Sequence, residues 1–251
     1  HYLWDTKFGN PELITKFPNQ KSLEDFSSYN PNKQSLTGEI VGDDYLALSQ
    51  NPNFQSDPDW IADAEVRSKF IETNKLIFLR PYQYNAIKAL QKSVADNKSR
   101  FLFEMATGTG KTMTTAGVIK LFLRSGNARR VLFLVDRIEL ENQAKKAFDF
   151  VFKNDRTTVI YKNNKDDWRK ADIVVSTVQT LLANDRYSKE FNPTDFELVI
   201  SDEAHRSING NARAVFEYFV GYKLGLTATP KDFMRNWENS DNDSKLFEAR
   251  Q

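Results

Sequence analysis

From about residue 100 onward the chain alternates short apolar runs with amphipathic stretches. The runs 101–103, 131–135, 158–161, 173–176, 198–201 and 224–226 read as strands, since near-continuous apolar and β-branched residues mark strands buried on both faces. Between them, residues 112–124, 138–152, 178–183 and 212–219 repeat apolar positions at helical spacing. That alternation predicts a mostly parallel sheet covered by helices on both faces, a three-layer α/β sandwich. In such a sheet ligand sites lie beyond the carboxyl ends of the strands.

The earlier part of the chain has weaker patterning. Asn10-Pro11, Phe17-Pro18-Asn19, Asn30-Pro31-Asn32 and Asn51-Pro52-Asn53 interrupt it at intervals too short for long elements, so a loop-rich extension with some helix is expected. Residues 2–8 have the pattern of a strand. Asp57-Pro58 reads as an N-cap followed by proline at the first helical position, opening one helix through Trp60, Ala64, Arg67 and Ile71. A further helix is predicted over 81–97, with Tyr84, Ile87, Leu90 and Val94 on one face.

Composition excludes several classes. The 251 residues include no cysteine and only two histidines, His1 and His205, so disulfides, thiol catalysis and a conventional structural zinc site are all ruled out. The longest apolar run, Val131–Val135, is far short of the ~20 residues that span a bilayer. A soluble, cytoplasmic protein with no membrane partner is expected. The chain opens on His1, as would the middle of a longer polypeptide or one whose beginning is unseen.

Formal net charge is +1, yet the charges are unevenly spread. Residues 1–79 carry 7 basic and 12 acidic side chains, residues 80–235 carry 26 and 18, and residues 236–251 carry 2 and 4. The middle segment is the one suited to a polyanion, although a solvated surface would give a similar excess. The same divisions suggest three parts: a connector over 1–79, a principal domain over 80–235 and a loose tail over 236–251.

Chemistry is concentrated after two of the strands. The first is followed by Ala106-Thr107-Gly108-Thr109-Gly110-Lys111-Thr112. Glycines let backbone N–H groups converge on an anion, the following helix directs its positive end there, Lys111 offers a cation to β/γ-phosphates and Thr112 a hydroxyl to Mg²⁺. Met105 departs from the strict pattern, which has a small residue at that position. The strand 198–201 delivers Asp202 and Glu203, 91 residues after Lys111. A nucleoside triphosphatase needs one carboxylate on Mg²⁺ and another to deprotonate the attacking water. Taken alone, such a pair is also an ordinary solvated strand end.

With these pieces in place the sequence resembles a known family. Asp202-Glu203-Ala204-His205, Gly108-Thr109-Gly110-Lys111-Thr112 and Thr227-Ala228-Thr229-Pro230 look like motifs of the first motor domain of superfamily 2 helicases and translocases. Arg80-Pro81-Tyr82-Gln83, Val135-Asp136-Arg137-Ile138-Glu139-Leu140, Ser176-Thr177-Val178-Gln179-Thr180 and Arg206-Ser207 narrow the resemblance to the motor subunit of type I restriction endonucleases.

The resemblance implies a RecA-like P-loop fold with ATP and Mg²⁺ as its ligands. It assigns Gln83 to adenine, Gly108, Thr109, Gly110 and Lys111 to phosphates, Thr112 and Asp202 to Mg²⁺, and Glu203 to hydrolysis. His205, Thr227 and Thr229 would couple nucleotide state to movement, and Arg137, Thr177 and Gln179 would touch the DNA backbone. Without that context Gln83 would be a surface residue, His205 a satisfied core histidine and Arg137 a solvated loop charge.

The implied partners are double-stranded DNA, specificity and methyltransferase subunits, and a nuclease domain and second motor domain of the same polypeptide; residues 1–79 would then be a connector or include the end of that upstream nuclease domain, and 236–251 a linker or loose tail. Only 21 residues follow Pro230, too few for that second domain. The alternatives are another superfamily 2 DNA or RNA helicase, or a nucleotide- and DNA-binding fragment without turnover of its own.

Overall fold

The computed structural model describes residues 2–3, 12–14, 16–48, 53–153, 155–163, 167–207, 211–228 and 247–249. All six expected strands are present, as β3 (Arg100–Glu104), β4 (Val131–Val135), β5 (Thr158–Ile160), β6 (Ile173–Thr177), β7 (Leu198–Ser201) and β8 (Tyr222–Thr227). With β9 (Phe247–Ala249) they form one all-parallel sheet in the order β5-β6-β4-β7-β8-β3-β9. Ahead of them β1 (Tyr2–Leu3) and β2 (Glu12–Leu13) make a separate antiparallel pair.

Alternation along the buried strands sorts the core into two layers. Phe101, Phe103, Val131, Phe133, Val135, Ile173 and Val175 face one side of the sheet. There they meet Ile87, Leu90 and Val94 of α5 (Pro81–Ala95), Val118 and Phe122 of α6 (Lys111–Arg124), and Phe148 and Phe152 of α7 (Ile138–Phe152). The intervening Leu102, Leu132, Leu134, Val174 and Val199 face the other side. Val178 and Leu181 of α8 (Val178–Leu182), and Val215 and Phe216 of α11 (Asn211–Tyr218), cover them. Trp168, Phe191, Phe196 and Phe219 complete that second layer with ring centroids 4.7–6.1 Å apart. These aromatics are therefore core and no platform for stacked bases.

The extension is more helical than its punctuation suggests. It contains α1 (Gln20–Ser28), α2 (Lys33–Gly38), α3 (Pro58–Ile61) and α4 (Ala64–Thr73). Two of the Pro-Asn pairs turn out to be helix starts: the side chain of Asn19 accepts from Ser22 N at 2.8 Å and that of Asn32 from Ser35 N at 2.9 Å, each satisfying an orphan donor of a first turn. The single helix expected from Pro58 through Ile71 is two. Ala62 is extended, and Asp63 caps a new helix by accepting from Glu65 N and Val66 N. Of the strand expected over 2–8, Tyr2 and Leu3 are strand and the remainder lies outside the described residues.

The extension also shares the principal core. Leu36, Val41, Tyr45 and Leu46 are buried in the same layer as α5 and α6. Gln91 Nε2 donates to the carbonyls of Leu36 (2.7 Å) and Glu39 (2.9 Å), and Lys120 Nζ donates to that of Tyr45. The short helices α9 (Arg186–Lys189) and α10 (Ala204–Ser207) complete the fold. No helix among the described residues is long and apolar enough to cross a membrane.

Entry into β8 is the tightest backbone approach. A Cβ on Gly221 would collide with the Glu197 carbonyl and the Phe196 carbonyl oxygen, and Tyr222 N donates to Glu197 O across the same gap at 2.7 Å. Backbone on both sides cannot yield as a side chain would. Gly221→Ala is therefore expected to cost about 1–3 kcal/mol, measured by urea unfolding. An unchanged midpoint would show that β7 and β8 can shift apart without loss.

Candidate functional site

Strand register alone gathers the chemistry. Leu134 pairs with Ser201, Ser201 with Gly225, and Glu104 with Thr227, so the residues just beyond β3, β4, β7 and β8 emerge side by side at one edge of the sheet. Asp202 N donates to Leu134 O at 2.9 Å, and Met105 N to Thr227 O at 2.8 Å. These two bonds extend the ladders one step past the strands.

The segment after β3 is a loop that closes onto the start of α6. Met105 is buried in the core, which explains its departure from the glycine-rich pattern: it belongs to the strand end, and the loop begins at Ala106. Gly108 and Gly110 have φ of 81° and 83°, the left-handed region that disfavours other residues. At Gly110 space is limiting as well, because a Cβ there would strike Gln83 Nε2. Thr109 Oγ1 donates to Ala106 O at 2.7 Å, bracing the turn. Lys111 opens α6 directly behind the Gly110 N-cap, with Thr112 exposed in the first turn. A 14-residue helix thus presents its positive end to the same place as the lysine.

Facing this loop is the end of β7. Glu203 is a non-glycine residue at φ 51°, a conformation that costs roughly 1–2 kcal/mol. Its N–H donates to Asp202 Oδ1 at 3.1 Å, and its own carboxylate reaches in two directions. Oε1 lies 3.1 Å from Lys111 Nζ, and Oε2 lies 3.4 Å from His205 Nδ1. His205 Nδ1 is in turn 3.1 Å from Thr227 Oγ1, the donor being set by the ring tautomer. Lys111, Glu203, His205 and Thr227 therefore form one continuous polar chain from α6 to β8. Burial raises the pKa of Asp202 above its ordinary value; Lys111 opposes the rise, while Glu203 and Asp136 add to it.

Other expected residues fall on either side of this chain. Gln83 is buried, with Oε1 accepting from Arg80 N at 2.8 Å and Nε2 donating to the carbonyls of Thr109 (3.1 Å) and Gly110 (3.2 Å). Its amide thus grips the loop. Arg137 is exposed at the N-cap of α7, its Nε 3.5 Å from Asp136 Oδ2, and Gln179 is exposed in α8. Thr177 is buried, its hydroxyl capping α8 by accepting from Thr180 N at 3.0 Å. Thr229 and Pro230 lie outside the described residues.

Three participants have no role assigned by the motifs. Tyr82 OH donates to Thr109 O at 2.7 Å, Asp136 acts on Asp202, and Glu141 is fully buried beneath Thr177. A sequence signal exists for the last, because Glu141 begins the buried α7 stripe continued by Ala144, Phe148 and Phe152.

The donor set fits a magnesium nucleotide. Among the described residues no three His, Asp or Glu side chains converge as a self-sufficient metal site. Mg²⁺ ordinarily takes one or two carboxylates and completes its shell with water and phosphate oxygens; Asp202 is one such carboxylate.

Residues 76–232 match the family described as "Type III restriction enzyme, res subunit". The chain is 31% identical over 208 residues to the type I restriction enzyme EcoKI endonuclease subunit of Escherichia coli K12, an alignment covering 73% of this chain and 17% of that protein. It is 31% identical over 169 residues to the putative ATP-dependent helicase IRC3 of Saccharomyces cerevisiae, covering 65% of this chain and 24% of that one. The chain thus spans less than a quarter of either relative. Among solved structures it is similar to the SWI2/SNF2 ATPase core of Sulfolobus solfataricus in complex with dsDNA (TM-score 0.51, 21% identity, 61% of this chain and 32% of that one). It is also similar to the Hef helicase domain of Pyrococcus furiosus (TM-score 0.51, 21% identity, 74% and 40%). At that identity the likeness establishes a shared helicase-core fold.

The raised pKa of Asp202 has a measurable consequence. Between the unfolded carboxylate value of ~3.9 and the raised native one, the folded chain binds more protons, so stability falls as pH rises through that range. Above it Asp202 is a standing cost. Asp202→Asn is expected to unfold at a higher temperature than the parent at neutral pH, with the difference shrinking below that range. A less stable variant at neutral pH would contradict this.

Proposed function

The chain belongs to the family of the type III restriction enzyme res subunit, and from that premise we propose that it is the first, nucleotide-binding motor domain of a DNA-translocating restriction subunit of type I. We assign the motor core to 80–235, with 1–79 as connector and the end of an upstream nuclease domain, and 236–251 as linker, of which Phe247–Ala249 adds β9 to the sheet. The observation that carries the reading is the contact of Lys111 with Glu203 at 3.1 Å, beside Asp202. A phosphate-binding lysine and a hydrolytic carboxylate, 92 positions apart in the chain, meet at the mouth of a glycine-turned loop.

In this reading the loop and Lys111 hold the β/γ-phosphates, and Thr112 and Asp202 hold Mg²⁺, which neutralises developing charge when bound. Lys111 then exchanges its contact with Glu203 for one with phosphate. Glu203 is released towards the attacking water, whose proton it takes. His205 and Thr227 sense that release, because the same Glu203 carboxylate holds His205; Thr229 is assigned to the same coupling. Gln83 reaches the adenine only by loosening its hold on the loop, linking nucleotide entry to loop shape.

Arg137 and Gln179 offer exposed side chains to the backbone of double-stranded DNA, and Thr177 contributes through the α8 cap. Type I is favoured over type III because relatives named as type I endonuclease subunits recur among the matches. The remaining parts are assigned to partners: a second motor domain with its arginines, a nuclease domain, and specificity and methyltransferase subunits, in a prokaryotic cytoplasm.

A second reading, a binding module without turnover of its own, is favoured by the one-sided site. The chain presents Lys111, Asp202 and Glu203 as one wall, while an arginine supplied from elsewhere is worth ~10³–10⁵ in rate. ATPase activity of the chain is therefore expected to be near background with and without duplex DNA. Brisk DNA-stimulated turnover by these 251 residues alone would remove the need for a second domain. In an assembly that does turn over, Glu203→Gln should keep Mg-ATP affinity and stop hydrolysis. Loss of binding together with hydrolysis would mean that Glu203 serves the fold or the metal.

A further inference from the structure

Glu141 is a carboxylate with no solvent exposure in a chain whose proposed reaction does not use it. It lies one turn into α7, four residues after the Arg137 N-cap. Its Oε1 accepts from the backbone N–H of Thr177 at 2.9 Å, and its Oε2 lies 2.6 Å from Lys162 Nζ. A buried carboxylate is costly unless it is both paired and hydrogen-bonded; here Thr177 hydrogen-bonds one oxygen, and Lys162 supplies charge to the other, which makes an ion pair and no hydrogen bond. Thr177 begins α8 beyond β6, and Lys162 follows β5.

One side chain thus ties together the exits of three adjacent strands, β4, β6 and β5. Register brings those exits level, since Val135 pairs with Thr177 and Ile160 with Val175. α7 and α8 cover opposite faces of the sheet, which leaves the offset between their starts to be set at the strand exits. Glu141 fixes it at the point where both helices start, and those starts carry the exposed Arg137 and Gln179. Hydrophobic packing lower on α7, through Ala144, Phe148 and Phe152, holds the helix to the sheet without specifying where its first turn sits relative to the end of β6.

We propose that Glu141, with Lys162 as its counter-ion, is a positioning residue that sets the spacing between the two strand-exit segments contacting the DNA backbone. The inference rests on the reading that Arg137 and Gln179 touch DNA. Two contacts on a helical backbone help each other only if their separation matches the phosphate spacing, so a carboxylate fixing that separation acts on affinity without touching DNA.

The test compares Glu141→Ala, Glu141→Asp and Glu141→Gln with the parent chain. Duplex DNA binding is followed by fluorescence anisotropy over a salt series, and nucleotide binding by a fluorescent ADP analogue. Glu141→Ala leaves the Thr177 N–H without its acceptor and should weaken DNA binding about tenfold, the size of one displaced charged contact. Its salt dependence should become shallower, and nucleotide affinity should stay unchanged. Glu141→Asp keeps the charge and the fold but is one methylene too short to reach Thr177 and Lys162 together, so it should weaken DNA binding as well. Glu141→Gln, which still accepts from Thr177, should recover most of the affinity.

Parent-like DNA binding by Glu141→Asp would overturn the inference, as would equal losses of DNA and nucleotide affinity in the variants. Arg137→Ala and Gln179→Ala separate the two levels. If they weaken DNA binding while the Glu141 variants do not, the positioning role fails and the DNA reading stands. If neither changes DNA binding, the DNA reading fails and the inference with it.

Discussion

The parallel register of β7 between β4 and β8 is the constraint on which everything else depends. Asp202, Glu203 and His205 have no local reason to meet Lys111. They do so because Leu198–Ser201 is locked one step behind β4 and beside β8, with Asp202 N already bonded to Leu134 O. That register is itself set by burial on both faces. A slip of one residue in β4 would exchange Phe133 and Val135 for Leu132 and Leu134 on the α5–α7 side, undoing both core layers together. The strand ends that carry the site are accordingly fixed by the packing of the core.

Those side chains are held by contacts that a nucleotide would compete for. Lys111 is held by Glu203, Glu203 also by His205, and the Gln83 amide by the carbonyls of Thr109 and Gly110. Each contact satisfies a polar group, and in the proposed cycle each is exchanged for one to the nucleotide. Glu203 is the pivot. Its left-handed backbone and its two-way carboxylate place the local strain at the residue proposed to act in hydrolysis, in keeping with strain being concentrated at functional positions.

Much of this was legible in the sequence. Continuous apolar strands announced themselves, and Gly108, Gly110, Lys111, Asp202 and Glu203 were recognisable from residue type and position at strand ends. What stayed hidden depended on geometry that spacing does not encode. Asn19 and Asn32 looked like loop residues because each follows a proline, yet each caps a helix. Asp63 was absorbed into a longer helix because Trp60, Ala64, Arg67 and Ile71 keep helical spacing across the break. Thr177 was read by its motif, while its hydroxyl is turned inward to Thr180. Glu141 stood on an apolar stripe, and only the meeting of α7 with β6 reveals why a carboxylate belongs there.

The proposed function turns on a phosphate site centred on Lys111. Calorimetric titration of Mg-ATP into the chain and into its Lys111→Ala form tests it most directly. Saturable binding by the parent and none detectable in the variant is the expected outcome, because no other side chain of the 106–112 loop carries a positive charge. Equal affinity in the two proteins would contradict it.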